Sequence, residues 1–469
     1  MTQPPKKPLS LLTDQAQEER RVTLNVVDTL LPCRFFEIDH KVAVLGKASL
    51  TTELILRLLK AADGINEENA AAFFGFDLRE MNFVLGEAES LGYIERRDGA
   101  LWITSAGSAL FRDGAAEPEI FEVEKRTERC GFDLIAFAPQ RGAALSGFER
   151  RLPELPLGDA KYAARGSSAV PDAFRKHFLE LARERDLGRR SLYSVDEVRP
   201  GDRFSSVVRI VVTVSNLRPS QPEIDLNEWR PEDEQEDRKE IRMSAAAFVH
   251  ELQTAEAASN QGAYEALVAI APEFLKDFVR RDGLSVARYF REMLGRAGDV
   301  RIDRPTIPIV GSLFVPDNFR RFVEVLSYGL RSKPPAKGAI WCAPSIPQWG
   351  AIADLPDLLL ELGHRVSGPD EQEFETVCLL PRGVDEWRAK QAFTRVGVIS
   401  DQRTSPALEC LLVPGVACAV LVNAPIGAAH GYPVGLGIMS FDAEVVARAT
   451  DLVMQAAPSA DDLRGLLID

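Results

Sequence analysis

Apolar residues recur at two different spacings along this chain, and the switches between them predict its elements. Leu54, Leu58 and Leu59 fall on one helical face, with Ser49 or Thr51 able to cap the first turn. Gly64 ends that helix, Ile65 and Asn66 open a short second one through Ala72, and Asp77 can cap a third within GFDLREMNFVLGEAESLGYI. The pattern then turns to strands. In ERRDGALWI, Asp98-Gly99 is a two-residue hairpin signal between a polar strand and the apolar Leu101-Trp102-Ile103.

Residues 113–130 carry many charges and read as a connector, followed by a short buried strand in GFDLIAFAP. The segment FRKHFLELARERDLGRR, ending at Arg190, predicts an amphipathic basic helix. SSVVRIVVTVS (205–215) is β-branched and predicts a strand, entered through a turn at Pro200-Gly201-Asp202. The carboxylate-dense run 230–240 reads as an exposed loop or helix start. From Ser244 to Gly295 the spacing is helical, with Phe248, Leu252, Leu267, Phe274, Phe278 and Phe290 as core positions. Beyond Asp303, apolar strand candidates from IPIVGSLFV to PVGLGIMS alternate with helices, and a helix capped by Asp442 closes the unit. The expected fold class is therefore multidomain α+β. Its parts are an extension (1–34), a three-helix-and-hairpin domain (35–112), a connector with a small β region (113–243), a helical segment (244–302) and a C-terminal α/β layered sheet (303–469).

The helices and hairpin of residues 35–112, with their LGYIERRDGALWITSAG ending, resemble the winged-helix family. Family members that read DNA lay the third helix in the major groove, which needs Arg, Lys, Asn or Gln on its outer face. Here that helix carries Asp77, Glu80, Glu87 and Glu89 against Arg79, and residues 35–112 hold eight Lys+Arg to twelve Asp+Glu. The net charge of −14 likewise opposes nucleic acid and anionic membrane. Contact with a partner protein is the expectation. The candidate nucleic-acid contacts are the hairpin pair Arg96 and Arg97, together with Arg175, Lys176, Arg183, Arg189 and Arg190 in the basic helix.

Cofactor signatures are missing: no G-x-G-x-x-G follows a strand, and there is no P-loop, G-x-S-x-G or H-E-x-x-H. No cofactor and no metal are expected. Six scattered cysteines without C-x-x-C predict buried reduced thiols. The absence of an apolar run of about 18 residues predicts no membrane span, and the N-terminal residues lack a signal-peptide pattern, so a cytoplasmic protein is expected.

The ending LLVPGVACAVLVNAPIGAAHGYPVGLGIMSFDAEVVARATDLV resembles the second half of phospholipase D-like domains, with Asn423 near that family's Gly-Ser-x-Asn-like turn. The family's H-x-K-x4-D is absent, since His364 precedes Arg365-Val366 and His430 precedes Gly431-Tyr432. The resemblance thus implies a degenerate copy acting as scaffold. Within NAPIGAAHGYP, the residues Asn423, His430 and Tyr432 are the candidate ligand loop. His177 and Glu180 read as a surface or boundary pair. The functional expectation is a non-catalytic adaptor or complex subunit, with loose resemblance to multidomain proteins of nucleic-acid-processing or phage-defence assemblies. Two alternatives stay open: a DNA-binding regulator, and a phosphodiesterase or nuclease-like enzyme whose residues, among His430, Asp442, His364 and Asp401, meet only in three dimensions.

Overall fold

A 25-residue strand, β1 (Arg21–Leu45), opens the described chain. The computed structural model describes residues 20–45, 50–111, 115, 117–118, 121–158, 166–181, 190–231, 238–294, 300–333, 336–367, 374–384, 386–399, 405–457 and 463. After β1 come α1 (Leu50–Ala61), β2 (Ile65–Asn66), α2 (Glu67–Phe74), α3 (Leu78–Ser90), the hairpin of β3 (Ile94–Arg97) and β4 (Ala100–Ile103), and the single turn α4 (Ser105–Ser108). The chain then enters β5 (Phe121–Asp133), α5 (Gly166–Lys176), α6 (Phe178–Leu181), β6 (Arg190–Ser215) and β7 (Arg218–Asp225).

β5, β1, β6 and β7 form one antiparallel sheet in that order. The three-helix module is therefore an insertion between two strands that pair with each other. In the upper half of β1 the residues alternate: Phe36, Ile38, His40 and Val42 face a core with Phe174 and Phe178, while Glu37, Asp39 and Lys41 face outward. In the lower half Val26 to Leu31 are buried throughout, because that end packs into the largest core.

Four expectations change here. The boundary at 34/35 falls inside β1, so the described part of the expected extension is sheet, and residues 35–45 belong to that sheet rather than to the module. The connector 113–130 holds most of β5 (Phe121–Asp133), whose charged residues from Glu124 to Arg129 suit an edge strand rather than a linker. The expected strand in GFDLIAFAP ends at Asp133. Pro200-Gly201-Asp202 is no turn but part of the 26-residue β6, where register shifts let β1 and β6 bend while staying paired.

The following stretch is α7 (Lys239–Glu251), β8 (Thr254–Ala255), α8 (Ala258–Ile270), α9 (Pro272–Leu275), β9 (Val279–Arg280), β10 (Gly283–Leu284) and α10 (Val286–Met293). The expected boundary at 243/244 cuts α7. Beyond it lie β11 (Thr306–Val310), α11 (Pro316–Gly329), β12 (Gly338–Cys342), α12 (Leu355–Ser367), β13 (Glu375–Leu380), α13 (Glu386–Ala392), β14 (Arg395–Val398), β15 (Leu408–Val413), β16 (Ala417–Ala424), β17 (His430–Gly431), β18 (Val434–Ser440) and α14 (Ala443–Ala456). Seven of these strands make a mixed sheet in the order β11-β18-β16-β15-β12-β13-β14, parallel from β12 to β14 and antiparallel elsewhere. Strands β12, β15, β16 and β18 are buried along their whole length, which explains their largely apolar sequences, with Glu409 and Asn423 among the buried polar exceptions. Gly437 is required by packing: a Cβ there would sit 1.9 Å from the Val420 carbonyl oxygen of β16.

The chain is mixed α/β with several sheets. One hydrophobic core runs from Leu24 in β1 through α7, α8 and α10 to the seven-stranded sheet and α14. The module has a separate core of its own, including Ile55, Leu59, Met81, Leu85, Ile94 and Leu101. Among the described residues no helix is long and apolar enough to cross a membrane.

Candidate functional site

The module's geometry follows from its caps and turns. Asn66 accepts a hydrogen bond from the Glu68 amide to start α2, and Gly75 ends that helix at φ 71°. Asp77 then starts α3 with a reciprocal capping box, accepting from the Arg79 and Glu80 amides at 2.7 and 2.8 Å while Glu80 accepts from the Asp77 amide at 2.9 Å. Asp98 and Gly99 both take positive φ, the geometry of a type I′ hairpin. Gly64, at φ 81°, lies so close to the Trp102 ring that a Cβ would come within 2.7 Å of it. The three strands order as β2-β4-β3 beside the three helices.

Met81, Leu85 and Ala88 point α3 into the module core, which leaves Arg79, Phe83, Gly86 and Ser90 on its outer ridge. Phe83 is 81% exposed, and Phe73 in α2 and Leu78 at the start of α3 are 69% and 63% exposed. A ridge carrying phenylalanine where a base-reading helix would carry cations is chemically suited to an apolar partner.

The hairpin pair contributes little free positive charge. Arg96 donates to Asn82 at 2.6 Å and lies 3.3 Å from Glu89 and 3.6 Å from Glu67, while Arg97 pairs with Glu95 at 2.6 Å. Both guanidiniums are already answered by carboxylates of the module.

The other predicted contacts do not form one helical stripe. Arg175 and Lys176 end α5, Arg175 pairing with Asp172, and Arg190 begins β6. Arg183 and Arg189 lie outside the described residues. The expected continuous helix is thus corrected: it breaks at His177, resumes as α6, and is followed by strand from Arg190, where pairing with Val44 of β1 takes over. His177 is also not a surface residue. It is buried, with Nδ1 3.1 Å from Glu180 Oε2, while Arg238 donates to Glu180 Oε1 at 2.8 Å. Burial pushes the Glu180 carboxyl up, but the His177 hydrogen bond and the Arg238 charge outweigh it and leave the pKa below its ordinary value.

The C-terminal loop residues diverge. Asn423 is buried in β16 and donates to Glu409 at 2.9 Å, and the buried Tyr432 hydroxyl accepts from Asn25 at 3.0 Å. Burial pushes the Tyr432 hydroxyl up to about 12. His430 is exposed, and its strand β17 pairs with β8. The three residues therefore make separate contacts rather than one polar cluster. Asp442 caps α14, His364 lies in α12, and Asp401 is outside the described residues. All six cysteines are buried and free of disulfides.

Two polar constellations escaped the sequence reading. Glu409, buried in β15, accepts from Trp341 Nε1 at 2.9 Å, Trp349 Nε1 at 3.0 Å and Asn423 Nδ2. Asp28, fully buried in β1, accepts two hydrogen bonds from Arg209 at 2.9 and 2.8 Å and one from the Ala353 amide at 2.6 Å, and Arg209 also reaches Asp354 at 2.6 Å. The available signal was a single carboxylate inside an otherwise apolar strand, in VVDTLL and in LECLLV. Comparison with family models and with curated proteins gave no match to this chain.

Proposed function

We propose that the three-helix module is a winged helix used for protein contact, and that the chain is a non-catalytic subunit of a larger assembly. The observation that carries this reading is the exposed Phe83 at the middle of the α3 ridge, where a DNA-reading helix would present cations. The neutralised Arg96 and the acidic balance of residues 35–112 support it. The partner surface that fits is an apolar pocket rimmed by cations, complementary to Phe83, Phe73 and Leu78 among Glu67, Glu68 and Glu80. The insertion of the module between the paired strands β1 and β5 suits such a role, because the large core is complete without it. The finer layout, with a winged helix set on a C-terminal α/β layered domain, is part of this proposal. A reducing, cytoplasmic setting accords with the six buried thiols.

The test is co-purification of the tagged full chain from its native host, with wild type beside Phe83→Glu. A defined protein is expected to accompany the wild type. The variant should lose it by a contact worth about 2 kcal/mol or more, near thirtyfold in affinity, while its melting temperature stays unchanged. Equal retention by the variant would overturn the proposal. So would a low-salt mobility shift of duplex DNA that Arg97→Glu abolishes, which would favour the regulator reading instead.

A further inference from the structure

Where β5 forms the edge of the four-stranded sheet, two adjoining clefts open, of about 850 and 820 Å³, sharing Gln140, Arg141 and Leu181. Five arginines (126, 129, 141, 230 and 238) line them against two carboxylates, Glu128 and Glu180. This is a local excess of positive charge on a chain of net −14. Arg126 is paired with Glu124, and Arg129 is held over the Phe35 ring with Asp202 at 3.3 Å. Arg141 is exposed and has no ion-pair partner among the described residues.

The first cleft is also lined by two buried residues, each with a polar side-chain atom that finds no hydrogen-bond partner among the described residues. His40 is 2% exposed, wedged against Phe174 and Phe178, and its Nε2 has no hydrogen-bond partner among the described residues. Its Nδ1 lies 3.2 Å from the Ile38 carbonyl oxygen, which only an Nδ1–H can satisfy, so in the neutral ring Nε2 is an acceptor. Gln140 is 6% exposed, and its side-chain Nε2, a donor, is also unpartnered among the described residues. Natural interiors rarely tolerate such groups without water or a ligand, since a polar atom that is desolvated and unpaired is destabilising.

We propose that this cleft binds a nucleotide. A buried acceptor and a buried donor beside Val42 and Phe178 match the donor and acceptor edge of a nucleobase. Guanidiniums at the cleft, Arg141 foremost because no carboxylate engages it, match the phosphate. The volume is that of a small-molecule site. Neither the winged-helix reading nor the protein contact proposed for α3 is needed for this site, which lies in the sheet that carries the module.

The experiment is calorimetric titration of the full chain at low salt with AMP, GMP, CMP and UMP, and with inorganic phosphate and ribose 5-phosphate as controls. At least one nucleotide is expected to bind more tightly than either control. Arg141→Ala should weaken that binding about tenfold by removing a charged contact. Gln140→Leu should weaken it about tenfold and at the same time raise the melting temperature of the unliganded chain, because it deletes an unsatisfied buried donor. A merely structural glutamine would lower the melting temperature on the same substitution. No binding of any of the four nucleotides at millimolar concentration would overturn the proposal. Equal binding by both variants, or phosphate binding as tightly as every nucleotide, would do the same.

Discussion

Replacing Arg209 with methionine is expected to destabilise the fold by about 3–5 kcal/mol, because it strips the cation from a fully buried carboxylate. Asp28 has no exposure, and the Arg209 guanidinium answers both of its oxygens with parallel hydrogen bonds. The Asp28 hydrogen bonds in turn hold the guanidinium above its ordinary pKa despite the opposing effect of burial, so it stays charged at every accessible pH. After the substitution only the Ala353 amide would remain on Asp28. The pair ties β1 and β6 to the segment before α12, since Asp354 and the Ala351 carbonyl contact Arg209 and the Asp28 amide. Chemical denaturation of Arg209→Met, Asp28→Leu and the double variant measures this. The double variant should be more stable than the sum of the singles predicts, because it leaves no buried charge alone. Additive losses, or a loss under about 1 kcal/mol for Arg209→Met, would show that water reaches the pair.

The second large effect is expected at Glu409. Glu409→Leu removes the acceptor shared by two indole N–H groups and the Asn423 amide, and a loss of about 3 kcal/mol or more follows from leaving such buried donors unmade. Glu409→Gln keeps an acceptor oxygen for the indoles and should be far milder. The pair of variants also reads the charge. Burial raises the Glu409 pKa, with the Trp349, Asn423 and Trp341 hydrogen bonds opposing it only in part. The folded chain therefore holds this proton at a pH where the unfolded chain has released it. Its contribution to stability is full below the unfolded carboxyl pKa, about 4.3, and is lost as pH rises through the folded value. The unfolding free energy of wild type minus that of Glu409→Gln should accordingly fall as pH is raised from about 4. A difference that is flat or rises with pH would mean that the carboxyl is no harder to ionise in the fold than in water.

Some elements were legible because one physical signal decided them. Asp98-Gly99 marked a hairpin, Asp77 marked a helix start, and the mostly apolar runs 408–413, 417–424 and 434–440 marked buried strands. The strand in FFEIDHKVAV was equally written in its alternation but was absorbed into the helical domain that follows. Its partners, residues 121–133 and 190–215, are too far away in sequence for any local pattern to pair them. The charged segment 121–129 read as a linker because an edge strand with one solvated face can hold as many charges as a loop.

The candidate sites divide along the same line. Asn423 and Tyr432 suggested a ligand loop by type and proximity, yet each is drawn into a separate buried contact, Asn423 with Glu409 and Tyr432 with Asn25. His40, Gln140 and Arg141 carried no motif, and they meet only because β1 and β5 pair and the chain then doubles back on β5 at Gln140.

By itself, then, the sequence determined the three helices and the hairpin of the module, though Ile65-Asn66, expected to open the second helix, is the strand β2 and the helix starts only at Glu67. It also determined the alternation of strands and helices beyond residue 303 and the acidic character of α3, since caps, turns and apolar periods act over a few residues. Only the tertiary structure decided that the module interrupts a β-hairpin, that Arg96 is neutralised, and that buried polar groups gather at Asp28, Glu409 and His40. Those outcomes depend on which distant segments pair, and burial turns such pairings into energies that no short stretch of chain contains.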